Sequence, residues 1–163
     1  MKLIANIDMN KPEHAQLELD RFLPYRLSVL SNRVSQDIAQ LYQERFNLSV
    51  TEWRVIAVLG RYPNLSANEV ADRTAMDKVA VSRAVSCLMK DKRIKRKIDS
   101  DDKRRSVLSL SAKGLAIFDE VTPLAKAYEQ RLLSALPLEQ RDALLRILDL
   151  LEREELAIGA SLR

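Results

Sequence analysis

The sequence predicts a mainly α-helical chain with a small β-wing, and three observations carry that prediction. Between Asn64 and Gly114, two short helical patterns joined by a tight connection run into a basic segment with the signature of a β-hairpin. Segments with apolar residues every three or four positions flank this stretch on both sides. Glycine and proline are few, 3 and 5 in 163 residues, so long loops are not expected. Helix, turn, helix, hairpin is the order of a winged helix-turn-helix, here flanked by N- and C-terminal helices suited to dimerisation.

Taken in order, residues 1–18 show no sustained period and read as an N-terminal arm. His14 lies there without Cys, Asp or a second His at ligand spacing, so it reads as a surface side chain and no metal is expected. Met1-Lys2-Leu3-Ile4-Ala5-Asn6 is followed by Asp8, Lys11 and Glu13 and has no signal-peptide core. One Cys excludes an internal disulfide, and no apolar run approaches the ~20 residues of a membrane span. A cytoplasmic protein is expected.

Segment 19–47 holds a long helix, from about Asp20 to Phe46, with Leu27, Leu30, Val34, Ile38 and Leu41 on one stripe. Pro24 fits its first turn, where a missing N–H costs little, and Asn47 suits its C-terminal cap. Ser49-Val50-Thr51-Glu52 has capping-box form and starts a helix that Pro63 ends. Trp53, Val55, Ile56 and Leu59 on it are expected in the core of a lobe spanning 48–111.

Ser66-Ala67-Asn68-Glu69 is a second capping box, and Val70 and Ala71 form the inner side of its short helix. After Thr74-Ala75-Met76, Asp77 caps a second helix running to about Lys90. Val81, Ala84, Val85 and Leu88 share its buried face, while Lys78, Ser82, Arg83 and Ser86 fall on the other side. Cys87, beside Leu88, reads as a small core-facing residue.

The hairpin follows, with Arg93–Ile98 and Ser106–Leu110 as strands and turn-formers between. Residues 90–105 carry nine Lys or Arg against four Asp, a net of +5 in a chain of +4 overall. A local basic patch on a near-neutral body is the footprint of a phosphate-binding surface. A solvated charged loop is the other reading of such a run, and the polar helix face just before it argues against that.

Residues 112–163 hold two more helices. Ser111 caps one that runs to about Ser134, with a bend expected at Pro123. The last, from about Leu138 to Glu155, carries a stripe of Leu144, Leu145, Leu148 and Leu151, widened by Ile147 and Leu150. One small domain has too little to cover these faces. Burial is worth about 25 cal/mol per Å², so a homodimer through the terminal helices is expected.

Trp53-Arg54-Val55-Ile56-Ala57-Val58-Leu59, Lys78-Val79-Ala80-Val81-Ser82-Arg83 with Leu88, Asp102-Lys103-Arg104, and Leu110-Ser111-Ala112-Lys113-Gly114 occur in the order and spacing of a known pattern. The chain resembles the MarR family of bacterial transcriptional regulators from about Leu23 to Leu156. It departs at Lys92, where the family usually has Gly, and at Pro137, where a Ser cap is frequent.

The resemblance implies a homodimeric regulator, here read as a repressor, bound to a pseudo-palindromic double-stranded DNA operator. The second helix of the motif would enter the major groove, with Lys78 and Ser82 near base edges and Arg83 and Ser86 on phosphates. The wing would reach the minor groove through Lys103 and Arg104, with Asp102 bracing Arg104 by a charge-assisted bond. Ser66, at a helix N-terminus, would present N–H groups to a phosphate.

Small aromatic carboxylates are frequent effectors in this family, and Arg73 with Ser28 is the candidate ligand pair where the lobe meets the dimerisation helices, beside the favoured reading of Arg73 as a surface or phosphate-facing charge. Oxidant sensors of the family carry a Cys near the start of the first helix, where this chain has Phe22, Leu23, Pro24 and Tyr25. No nucleophile–base pair, metal-ligand spacing or glycine-rich phosphate loop points to an enzyme or a cofactor. A winged helix used only as a protein-interaction module is the other reading.

Overall fold

The computed structural model describes residues 16–99 and 102–161. The expectations for residues 1–15, His14 among them, and for the turn residues Ser100 and Asp101 lie outside the described residues. Contacts divide the chain into two compact units, one ending at Asp37 and one starting at Ile38.

In the first unit, the Arg21 and Phe22 N–H groups donate to the Glu18 carbonyl, forming a turn ahead of α1 (Leu23–Gln40). Leu27 and Leu30 on its stripe are exposed.

Periodicity predicts a single helix to Phe46, but the helix stops at Gln40 and a short α2 (Gln43–Phe46) follows. The cause is Tyr42, which adopts φ −132°, ψ −20° and turns its ring into the core. There it packs on Trp53, ring centroids 5.4 Å apart, and burial pushes its hydroxyl up to about 12. The Leu41 and Tyr42 N–H groups donate to the Ile38 and Ala39 carbonyls, the tightened bonds of a helix end. Asn47 then closes α2 in the left-handed region at φ 48°.

The rest of the second unit is α3 (Val50–Arg61), α4 (Ala67–Thr74), α5 (Lys78–Lys90), β1 (Ile94–Ile98), β2 (Ser106–Leu110), α6 (Ala112–Leu133) and α7 (Leu138–Ser161). Both capping boxes form. The Ser49 and Ser66 hydroxyls accept from the N–H groups of Glu52 and Glu69, and each carboxylate accepts from the N–H of its serine. α3 packs on α4, α5, β2 and α6. Between them lie Val55, Ile56, Leu59, Val70, Val81, Val85, Leu88 and Leu108, each 1% exposed or less. Trp53 lies at the edge of this core, between Tyr42 and Phe118.

β1 and β2 form an antiparallel pair with Ile94 opposite Leu110 and Ile98 opposite Ser106. Leu65 bridges to Leu108, so the middle of β2 is stitched to the segment before α4.

α5 ends in a Schellman motif, with the Arg93 N–H on the Leu88 carbonyl at 2.8 Å and the Lys92 N–H on the Met89 carbonyl at 3.0 Å. Lys92 sits at φ 57°, a conformation that costs a non-glycine residue about 1–2 kcal/mol. The turn nevertheless forms where glycine would relieve it.

α6 continues through Pro123 to Leu133. α7 runs to Ser161, six residues past the expected end at Glu155, and its Leu144, Leu145, Ile147, Leu148, Leu150 and Leu151 are all exposed. Among the described residues, no helix is long and apolar enough to cross a membrane, and no cluster of His, Cys, Asp or Glu could hold a metal ion.

Candidate nucleic-acid interface

The connection between α4 and α5 is set by Ala75 at φ 49°. The Met76 N–H reaches the Ala71 carbonyl and the Ala75 N–H the Asp72 carbonyl, which ends α4 within one turn. Asp77 then caps α5, its Oδ1 accepting from the Val79 and Ala80 N–H groups at 3.0 Å each. This satisfies the first free N–H groups of α5 and sets where the helix begins. Lys78, Ser82, Arg83 and Ser86 are all exposed on it, opposite the buried Val81, Ala84, Val85 and Leu88. The Ser86 hydroxyl donates back to the Ser82 carbonyl at 2.9 Å, leaving its oxygen to accept.

Arg83 leans toward the start of α3. It lines a shallow depression of about 360 Å³ with Ser49, Thr51, Glu52, Ala80, Ala84 and Cys87. Cys87 is exposed, which corrects the core-facing expectation. Position 87 stands about 100° round the helix from Leu88, outside the buried stripe. A hydrogen bond with Glu52 pushes the Cys87 thiol up, helped by desolvation and by the Glu52 charge. Burial works to raise the Glu52 carboxyl, but the Cys87 thiol, Ser49 and Arg93 outweigh it and hold it low. A thiol held protonated is a poor nucleophile.

At the wing, the Asp99 N–H donates to the Arg105 carbonyl and the Arg105 N–H to the Asp102 carbonyl, both at 2.9 Å. Asp102 does brace the tip, but through the backbone: its Oδ1 accepts from the Arg104 N–H at 2.9 Å, not from the guanidinium. The Lys103 and Arg104 side chains are exposed. Ser66, Ala67 and Asn68 at the start of α4 share a depression of about 460 Å³ with Asp102, Arg104, Arg105 and Ser106. The α4 N-terminus and the wing tip therefore border one concavity.

Two arginines of the basic run have internal partners that the sequence pattern does not reveal. Arg93 is buried, donating to the Phe46 carbonyl at 2.5 Å and the Asn47 carbonyl at 3.4 Å, and paired with Asp91 at 3.5 Å. It ties off the end of α2. Arg105 reaches across 36 residues to both Glu69 oxygens, at 2.7 and 2.5 Å, and to Asp99 at 3.3 Å. It latches the wing to the α4 capping box.

The Glu69 carboxyl is held at about 2, well below its ordinary 4.5. The Ser66 backbone N–H is the main cause, with the Ser66 hydroxyl and Arg105 adding to it. A depressed carboxylate contributes stability that is complete above its unfolded value of 4.5 and is lost as pH falls through about 2. Glu69→Gln is expected to lower the melting temperature by about 2–4 °C at neutral pH, the scale of one helix cap. The gap to wild type should close on titration from about pH 5 to pH 2. A gap that stays constant in acid would show that the Glu69 charge contributes nothing.

The two expected ligand residues stand apart in what they touch. Ser28 is exposed on α1, in the unit ending at Asp37. In the second unit, the Arg73 guanidinium lies over the Tyr62 ring, 4.2 Å from its centroid, and Arg61 lies 5.2 Å from the same centroid.

A family profile described as the MarR family matches residues 46–105. The HTH-type transcriptional regulator BilQ of Clostridium symbiosum is 27% identical over 110 residues, 68% of this chain and 75% of BilQ. The homoprotocatechuate degradative operon repressor of Escherichia coli is 24% identical over 88 residues, 53% of this chain and 60% of the repressor. A MarR/EmrR family transcriptional regulator from Acinetobacter sp. ADP1 superposes with a TM-score of 0.77 at 28% identity, covering 85% of this chain and 97% of that one. MepR of S. aureus, in a complex with DNA, gives 0.72 at 22% identity, over 82% and 97% of the two chains.

Proposed function

We propose that the chain is a member of the MarR family of DNA-binding transcriptional regulators, a cytoplasmic homodimeric repressor released by a small aromatic acid. One observation carries the DNA reading. The capped first turns of α5 present Lys78, Ser82, Arg83 and Ser86 to solvent, and beside them the α4 N-terminus and the wing tip border a single concavity.

An exposed polar helix of this kind fits the major groove, where its first turns meet base edges. Lys78 and Ser82 take the bases, and Arg83 and Ser86 take phosphates. Arg104 enters the adjacent minor groove, where a narrow groove concentrates negative potential, with Lys103 beside it on the backbone. The N–H groups after Ser66 take a phosphate between the two. The exposed apolar faces of α1 and α7 pair two copies on a pseudo-palindrome, one half-site each.

The test is binding to an operator selected from a pool of random duplexes, measured against salt. Counterion release predicts a log–log slope of several units. Arg104→Ala should weaken binding about tenfold, with dimerisation and helicity unchanged. A loss under about twofold, roughly 0.4 kcal/mol, would show that the wing is not inserted. A protein-interaction module would show neither an enriched sequence nor a steep slope.

Two observations support an aromatic acid. The E. coli relative is by name the repressor of a degradative operon for homoprotocatechuate, itself an aromatic acid. Arg73 and Tyr62 place a cation against an exposed aromatic ring, which suits a carboxylate on a ring. Benzoates and hydroxycinnamates titrated against the DNA complex should release wild type, and Arg73→Ala should need a higher concentration. Identical release of the two proteins would remove Arg73 as the anchor. A ligand frees DNA only by binding better to a half-site spacing that mismatches the operator.

A further inference from the structure

Val79 stands out on the DNA-facing side of α5. It is 56% exposed, at the second position of the helix, while Val81 and Val85 on the same helix are 1% exposed. Val79, Ser82, Arg83 and Ser86 stand three and four residues apart and share one face. On that face Val79 is the only wholly hydrocarbon side chain, between a lysine and two serines. Its N–H is held by Asp77 Oδ1 at 3.0 Å, so its backbone is fixed. A β-branched side chain has one strongly preferred χ1 in a helix, so little freedom is left to lose on contact.

The major groove offers one hydrocarbon group to such a side chain, the 5-methyl of thymine. The other base edges there are donors and acceptors that a valine leaves unmatched. From this geometry we infer that Val79 is a specificity-determining residue that packs on a thymine methyl in each half-site, selecting T over C at that position. The inference rests on the placement of α5 in the major groove proposed above. It adds a sequence preference that the polar residues of the face do not supply.

The experiment uses the full chain and the selected operator, with each thymine replaced in turn by deoxyuridine, which lacks only the methyl group. At one position per half-site, deoxyuridine should weaken wild-type binding about fourfold, the scale of one buried methylene. Val79→Ala should bind the thymine operator correspondingly more weakly and be indifferent to deoxyuridine there, while keeping wild-type sensitivity elsewhere. Val79 is exposed, so the variant should match the wild-type circular dichroism and melting temperature. The inference is overturned alone if an operator is enriched but no thymine methyl matters, or if the penalty persists unchanged in Val79→Ala. If no sequence is enriched, the DNA-recognition reading falls, and this inference with it.

Discussion

A chain ending at residue 137 is expected to run as a monomer and to lose high-affinity operator binding. The deletion removes α7, whose Leu145, Ile147 and Leu150 are each more than half exposed in the single chain. An apolar helix face left in water is unfavourable by about 25 cal/mol per Å², and a second copy is the simplest cover for it. With the dimer gone, each lobe binds its half-site alone, and the effective concentration supplied by the tether disappears. Affinity should fall by at least about 100-fold. The lobe itself should survive, because none of its fully buried side chains lies on α7. Sedimentation and anisotropy read the two effects separately. A truncated chain that sediments as a dimer would refute the proposed interface.

Gly114→Ala is expected to be strongly destabilising at the junction of the hairpin with α6. A Cβ built at Gly114 would lie 2.0 Å from the Arg93 carbonyl oxygen and 3.0 Å from its carbon. These are backbone atoms and have no rotamer in which to retreat. The same carbonyl accepts from the Ser111 N–H at 2.9 Å and from its hydroxyl at 3.0 Å. Ser111 Oγ in turn accepts from the Gly114 N–H at 3.1 Å. Moving Arg93 therefore disturbs the α6 cap and the start of β1 together. A cost of about 3 kcal/mol is expected from overpacking, lowering the melting temperature by about 6–12 °C. A melting temperature within about 2 °C of wild type would mean that α6 shifts freely on the hairpin.

Much of this architecture was legible because its determinants are local. A capping box is read over four residues, and both serine–glutamate boxes form as expected. The buried stripe of α5 and the hairpin strands likewise follow from periods of 3.6 and 2. The readings that failed depend on partners far away in sequence. Helical periodicity runs unbroken through Tyr42, and only the Trp53 ring explains why the chain turns there. Arg93 and Arg105 look like their basic neighbours until Phe46 and Glu69 are brought beside them. Cys87 is adjacent to Leu88 in sequence, but about 100° of helical rotation carries it out of the buried stripe.

The hairpin is fastened at two places, by the bridge from Leu108 in the middle of β2 to Leu65 ahead of α4, and by Arg105 to Glu69 on α4. A two-stranded hairpin on its own is marginally ordered in water. Fastened twice, it is preorganised, and little conformational entropy remains to be lost when it meets the duplex. On the proposed placement of the wing, Arg104 would reach the minor groove from a strand tied to α4, so a shift of α4 would move that contact and the one made by the helix pair together.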